Sequence, residues 1–139
     1  MFLGEYAHVL DAKKRIFIPA KYRDDLGETF VITKSVDKCL NVYTLPEWEK
    51  LKEKLESLPA AKSRQIKRFI FANADEAHCD SQGRVLISAP LREYAGIDKS
   101  AVVIGVGSYL EIWAEEEWTA ACEAEEAADI AKMMEELDF

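Results

Sequence analysis

The sequence predicts an α+β fold, mainly β, in which one unit occurs twice with pseudo-twofold symmetry. Three observations carry this. The run Asp11-Ala12-Lys13-Lys14-Arg15-Ile16-Phe17-Ile18-Pro19-Ala20-Lys21-Tyr22-Arg23 returns, altered, as Asp80-Ser81-Gln82-Gly83-Arg84-Val85-Leu86-Ile87-Ser88-Ala89-Pro90-Leu91-Arg92. The copies lie 69 residues apart, so that Asp11 matches Asp80, Arg15 matches Arg84, Arg23 matches Arg92 and Gly27 matches Gly96. Short β-type segments then alternate with turn signals and capped helical segments in the same order in both halves.

Strands are expected at about 5–10, 15–18, 29–34 and 39–43, and again at 73–79, 84–87, 101–105 and 109–113. In the first, Tyr6, His8 and Leu10 share one face and Ala7 and Val9 the other, the period of a strand. Asp-x-x-x-Arg fits a tight connection, because an Asp side chain accepts backbone N–H bonds within a turn. A brief helix follows each second strand. Pro19 suits a first helical turn, Ser88 with Pro90 offers a cap and a start, and Gly27 and Gly96 suit the ends. Beyond Gly27 the offset becomes 70, pairing Leu40 with Leu110, Tyr43 with Trp113 and Trp48 with Trp118. One residue has been gained or lost after Gly27 or Gly96.

Thr44-Leu45-Pro46-Glu47 has the pattern of a capping box, with the Thr44 hydroxyl and the Glu47 carboxylate each satisfying an open N–H. The helix it opens carries Trp48, Leu51, Leu55 and Leu58 on one face and stops at Pro59. A second helix over 60–71 sets Ile66, Phe69 and Ile70 against Lys62, Arg64, Lys67 and Arg68. The second half ends in a helix over 115–136 built around Trp118, Ala121, Cys122, Ala128 and Ala131. The chain thus divides into a first repeat with its helix (1–58), a connecting helix (59–72) and a second repeat with an acidic helix (73–139). Units this small are marginal alone, so a pair sharing one core is expected.

Charge is distributed unevenly. The net charge is −8. Residues 115–139 hold ten acids against Lys132 alone, whereas the other 114 residues carry 17 bases and 16 acids. A basic face outside the C-terminal segment is therefore compatible with an acidic total. No apolar run approaches the roughly 20 residues of a membrane span, and the opening Met1-Phe2-Leu3-Gly4-Glu5 does not read as a signal peptide. Cys39, Cys79 and Cys122, odd in number and far apart, read as free thiols of a reducing cytoplasm.

The Asp-x-x-x-Arg turns are the leading candidates for function. Arg15 and Arg84, with Lys13 and Lys14, would project toward DNA, where an arginine grips guanine O6 and N7 or neutralises a phosphate. The alternative is an internal Asp–Arg pair that stiffens the turn, and duplication alone does not separate the two. His78 and Cys79 are adjacent and poorly placed to share a metal, and no Cys/His spacing fits one. The helix with Lys62, Arg64, Lys67 and Arg68 either touches phosphate or is a solvated face. Trp48 and Trp118 read as packing anchors. No nucleophile–His–acid set or phosphate-cradling glycine loop is present, and no cofactor or small-molecule substrate is indicated.

The two motif runs, the opening Gly4-Glu5-Tyr6, the segment Asp37-Lys38-Cys39-Leu40-Asn41-Val42-Tyr43 and the ending Leu137-Asp138-Phe139 together resemble the MraZ family over essentially the whole chain. The resemblance implies a bacterial transcriptional regulator with two AbrB-like swapped-hairpin units forming a β-barrel core. It also implies a ring-shaped homo-oligomer, associated with the nucleoid, that binds short G-rich direct repeats in the promoter of the division and cell-wall gene cluster. DNA binding is thus expected of Lys13, Lys14, Arg15 and Arg84, the resemblance carrying over more cleanly to Arg84 than to Arg15, with a structural part in the motif for Asp11, Asp80 and Gly83. The family's first motif usually has glycine before its arginine, as Gly83 stands before Arg84. Here Lys14 occupies that place, and a positive φ there would strain it. The competing reading is a protein-interaction or scaffold oligomer of the same fold that does not touch DNA.

Overall fold

The structure, a computed structural model, describes residues 1–139. The first half contains β1 (Glu5–Val9), β2 (Arg15–Phe17), α1 (Ala20–Leu26), β3 (Phe30–Lys34), β4 (Leu40–Thr44), α2 (Leu45–Glu56) and α3 (Ala60–Phe71). The second half contains β5 (Asp75–Ala77), β6 (Arg84–Leu86), α4 (Ala89–Ala95), β7 (Ser100–Gly105), β8 (Leu110–Ala114), α5 (Glu115–Ala124) and α6 (Ala127–Glu136). The α+β class, built on a sheet with flanking helices and with one unit repeated, is what the sequence predicted.

The halves are joined by exchanged strands. The six-stranded sheet runs β1-β7-β8-β4-β3-β5, and β2 pairs with β6 in a separate ribbon. β1 of the first half adds to β7 of the second, with Tyr6 opposite Val103, while β5 of the second half adds to β3 of the first, with Asp75 opposite Ile32. A pseudo-dyad therefore passes through two antiparallel pairs, Ile16–Val85 in the ribbon and Asn41–Glu111 in the sheet. Neither half closes its own sheet.

Side-chain alternation sorts the sheet into two faces. The inner face sends Phe30, Ile32, Leu40, Val42, Val103, Leu110 and Ile112 against Ile16, Ile18, Val85 and Ile87 from the ribbon region, in one buried cluster drawn from both halves. Tyr22 of α1 and Leu91 of α4 plug its ends at about symmetric positions. The outer face is covered by helices. Thr33 donates to the Ile70 carbonyl of α3, Trp48 packs edge-on against Phe71, and Trp118 of α5 packs on Trp113. Trp48 and Trp118 thus anchor helices to the outer face, on either side of the dyad.

Four expectations need correction. The sheet is open, with β1 and β5 as free edges, where the family resemblance implied a barrel; closure fails because the strands after the motif turns pair with each other in the ribbon instead of bridging those edges. The expected helix over 115–136 is two helices, because Glu125 and Glu126 adopt extended backbone (ψ 123° and 137°). No proline or glycine marks that break, so the helical pattern ran through it. Only half of the capping box forms: the Thr44 hydroxyl accepts the Glu47 N–H at 3.3 Å, but the Glu47 carboxylate turns to Lys50 at 3.1 Å. Finally, the offset is not one inserted residue. Phe30 faces Thr44 as Ala101 faces Ala114, so β3 and β7 are offset by 71 and β4 and β8 by 70. Two residues are gained before β7 and one is lost in the β7–β8 hairpin.

Strand exchange predicts that the halves do not fold apart. A fragment of residues 1–72 leaves β1 without β7 and exposes the apolar face of β2. Sedimentation and circular dichroism are expected to show folded signal only where the fragment self-associates, never in a monomeric fraction.

Candidate nucleic-acid interface

Each motif turn is built around its aspartate. The Asp11 N–H donates to the Arg15 carbonyl and the Lys14 N–H to the Asp11 carbonyl, both at 3.0 Å. Asp11 Oδ1 accepts the backbone N–H groups of Lys13 (2.9 Å) and Arg15 (3.0 Å), and Oδ2 accepts Arg15 Nε at 2.8 Å. The second turn repeats this: Asp80 Oδ1 accepts from the Gln82 and Arg84 N–H groups, each at 2.9 Å, and Oδ2 accepts Arg84 Nε at 3.0 Å. Asp is the residue for this position because one oxygen caps two amides while the other holds the guanidinium. These backbone bonds are the main reason that both carboxyls ionise below their ordinary 3.8, helped by the arginine of the same turn.

The β2–β6 pairing brings the two turns together across the dyad. Arg15 Nη1 reaches Asp80 Oδ2 and Arg84 Nη1 reaches Asp11 Oδ2, both at 3.5 Å. The result is a closed ring of two aspartates and two arginines, with the arginine side chains 25% and 30% exposed. The internal Asp–Arg pairing that the sequence left open is therefore present. It does not consume the arginines, since Nε and Nη1 face the carboxylates and neither Nη2 has a bond in the structure. Arg15 and Arg84 begin β2 and β6 and are held rigidly at the base of the turns. The turn tips are Ala12-Lys13 and Ser81-Gln82, all exposed. Lys13 has no acidic partner, while Lys14 lies 3.7 Å from Asp98.

The halves differ at one position. Lys14 takes φ 63° where Gly83 takes φ 80°, so lysine does adopt the left-handed conformation. The two are equivalent, since the Ile18 N–H donates to the Gly83 carbonyl and the Ile87 N–H to the Lys14 carbonyl. The missing side chain at Gly83 leaves room for Arg23: a Cβ there would stand 2.3 Å from Arg23 Nη1. The Arg23 guanidinium lies against that glycine and 5.4 Å from the Phe17 ring centre. Its counterpart Arg92, for which the position matching Gly83 is Lys14, donates instead to the Ile87 carbonyl. Sequence reasoning matched Arg23 to Arg92 but gave neither a role. Their recurrence at the motif spacing, paired with the Lys14/Gly83 difference, was the available signal.

The other basic cluster is elsewhere. α3, with Lys62, Arg64, Lys67 and Arg68, packs on the outer face of the sheet, opposite the ribbon, and Lys67 pairs with Glu56 at 3.5 Å. No group of three or more His, Cys, Asp or Glu side chains converges on a possible metal position. Cys39 is fully buried and burial raises its thiol to about 12, while Cys122 is exposed.

Lys14→Gly removes left-handed strain but adds glycine's unfolded-state freedom, so the net gain is expected to be about 0.5–1 kcal/mol, or roughly 1–4 °C in Tm for a chain of this size. Gly83→Ala lowers Tm, because it combines a positive φ with a contact that displaces Arg23. Differential scanning calorimetry reads both. The depressed carboxyl pKa values also fix a sign: the stability these turns lend is complete above the ordinary carboxylate range and is lost as pH falls through the lowered values. Titration of the Asp11 and Asp80 carboxyl carbons by NMR is expected to give midpoints below 3.8.

Comparison with known proteins agrees with this duplicated architecture. The family model described as "MraZ protein, putative antitoxin-like" matches twice, over residues 1–69 and 70–138. The chain is similar to the Transcriptional regulator MraZ of Carboxydothermus hydrogenoformans, 47% identical over 143 aligned positions spanning 100% of this chain and 99% of the relative. It is 52% identical to the protein of that name from Pelotomaculum thermopropionicum, across 85% of this chain and 83% of the relative. With that of Leuconostoc citreum it shares 46% identity over the full length of both chains. Matching over both halves, at this identity and coverage, the chain belongs to the MraZ family.

Proposed function

We propose that the chain is a sequence-specific DNA-binding transcriptional regulator, acting in the cytoplasm at the nucleoid and not an enzyme. It engages double-stranded DNA through the twin Asp-x-x-x-Arg turns, with Arg15 and Arg84 reading base edges and Lys13 and Lys14 holding phosphate. One observation carries this: the fold places two copies of the turn side by side on a dyad, each arginine clamped by carboxylates yet with its Nη2 edge unbonded. The names of its relatives supply the regulatory role. The same reading includes a ring of subunits and an operator of short G-rich direct repeats ahead of the division and cell-wall genes, with the chain dividing into units at 1–58, 59–72 and 73–139. Guanine-rich repeats suit arginine readers, because guanine offers O6 and N7 to one guanidinium. Repeated sites suit a ring, which presents several dyads at once. No helix of the structure is long and apolar enough to cross a membrane.

The four Asp–Arg charges cancel, so attraction to phosphate falls to Lys13 and Lys14 and to multiplicity. Arg15→Ala or Arg84→Ala is expected to lower operator affinity about 5- to 150-fold, the value of one bidentate base contact. Lys13→Ala and Lys14→Ala are expected to weaken operator and random DNA alike and to flatten the salt dependence. Fluorescence anisotropy at several salt concentrations, with Tm measured on the same proteins, checks all four. Folded, oligomeric arginine variants that keep full operator affinity would leave the turns a purely structural device, whereas an unmutated protein with no salt-dependent DNA binding would favour the scaffold alternative.

A further inference from the structure

α6 is an amphipathic helix with nothing to cover it. Ile130, Met133, Met134 and Leu137 recur at the spacing of one helical face, yet they are 40%, 52%, 43% and 70% exposed, and no residue of α6 is buried. Asp129 and Glu136, seven residues apart, run along one flank of that stripe. None of the acids in residues 115–139 forms an ion pair within the chain. An isolated helix of this length is not self-sustaining in water, so an exposed apolar stripe calls for a partner surface.

The outer face of the sheet holds a matching groove. It lies between α3 and the β3–β4 and β7–β8 hairpins, has a volume of about 460 Å³, and is lined by Val36, Tyr43, Ile66, Phe69, Ile70 and Tyr109. Val36 is 83% and Ile66 39% exposed. Asn41, on the groove wall, has its Oδ1 buried without a hydrogen-bond partner. Charge is complementary as well. α3 carries four bases and no acid, and only Lys67 among them is paired. Lys62 stands four residues before Ile66 on the same helical face, and Lys34 lines the groove. Asp37 and Glu111 stand at the hairpin side, which turns the acidic flank of an incoming α6 toward α3.

We propose that α6 of one copy docks in this groove of a second copy, apolar stripe down and Asp129 and Glu136 along α3. A second copy is the fitting occupant, because α5 carries the chain away from its own groove. Trp118 Nε1 of α5 donates to Glu5 of β1 at 3.2 Å, on the edge strand, while the groove lies over β3, β4 and β8. Only Glu125 and Glu126 link α5 to α6. Repeat symmetry points the same way: α3, the helix corresponding to α6, folds back onto the sheet of its own half, and α6 does not. Each copy offers one helix and one groove, a head-to-tail contact that closes into a ring when the rotation permits. The groove is on the face opposite the ribbon, so docking leaves the motif turns free. The proposal rests on the self-assembly part of the proposed function and not on DNA reading.

The test uses two full-length variants. Met133→Glu with Leu137→Glu spoils the helix stripe, and Val36→Glu with Ile66→Glu spoils the groove, each at exposed positions where folding is expected to survive. By mass photometry and light scattering without DNA, each variant alone is expected to be monomeric. Mixed one to one, they are expected to form a heterodimer, because the groove variant still has a sound α6 and the helix variant a sound groove. Lys62→Glu, which leaves the apolar floor untouched, is expected to raise the dissociation concentration of the assembly several-fold, less so at high salt. An unmutated ring that persists in either double variant overturns the docking mode while leaving the ring itself standing. Variants that are both monomeric but do not combine also overturn it, as does docking of α6 within its own chain, seen as a monomeric unmutated protein with α6 protected from proteolysis. A monomeric unmutated protein defeats the ring reading too, whereas the reading of DNA by Arg15 and Arg84 is decided separately, by the arginine variants.

Discussion

The pairing of β2 with β6 is the constraint from which the rest of the molecule follows. Three residues from each half meet there, with Ile16 and Val85 buried on the dyad. Because β1 and β5 lead directly into these strands, the pairing forces each of them across to the opposite half of the large sheet. The core then belongs to both halves, and no line cut between them leaves either side with a closed apolar face. Burial of Ile16 or Val85 is consequently worth more than its own area, since losing it loosens the crossing of both edge strands. Truncation of such a core residue costs about 2–5 kcal/mol even without that coupling.

The same pairing builds the candidate site. Two turns that are far apart in sequence are set side by side, and each aspartate also accepts from Nη1 of the other turn's arginine. Local chemistry and global topology agree here, which is the consistency expected of a well-specified fold. Divergence between the halves is confined to places where that agreement is not at risk. Lys14 stands at a left-handed position where the other half has glycine, and the matching arginines differ in their partners, Arg23 lying against Gly83 and Arg92 donating to the Ile87 carbonyl. α6 parts company with α3 after the last strand, where no sheet pairing depends on it.

Most of the fold was legible in the sequence because its signals are local and occur twice. Strand positions followed from alternation, α1 and α4 from Pro19, Ser88, Gly27 and Gly96, and α3 from Pro59 and its apolar spacing. What was not legible is long-range. Nothing in β1 announces that it pairs with β7 rather than with its sequence neighbour β2, and openness of the sheet is decided by that choice. The compensating shifts around β7 were invisible for a related reason, since an insertion of two and a deletion of one read as a single residue until the strand registers are known. In the site, the aspartate-capped turn was readable from residue type and spacing, whereas the cross-dyad contacts of Arg15 with Asp80 and Arg84 with Asp11 required the ribbon. Arg23 went unassigned because its partner is a glycine, and an absent side chain leaves no mark in a pattern of polar residues.

Under the proposed function, the Asp–Arg ring makes compatible two roles that the sequence set against each other. An arginine on a flexible surface loses much side-chain entropy when it grips a base, about 2 kcal/mol at most. One fixed through Nε and Nη1 has already lost most of it on folding, so a later contact through Nη2 begins from the right geometry. The cost of this arrangement is electrostatic: two carboxylates beside two guanidiniums leave no net attraction for phosphate. Such a site discriminates well and attracts poorly, and the remedy is to supply attraction from neighbours and from number. Under the proposed function, Lys13 and Lys14 on one turn would provide the first, and repetition of the dyad around a self-associating assembly the second. Under the proposed function, self-association is therefore part of how DNA is held, because a single neutral ring of charges would not hold it.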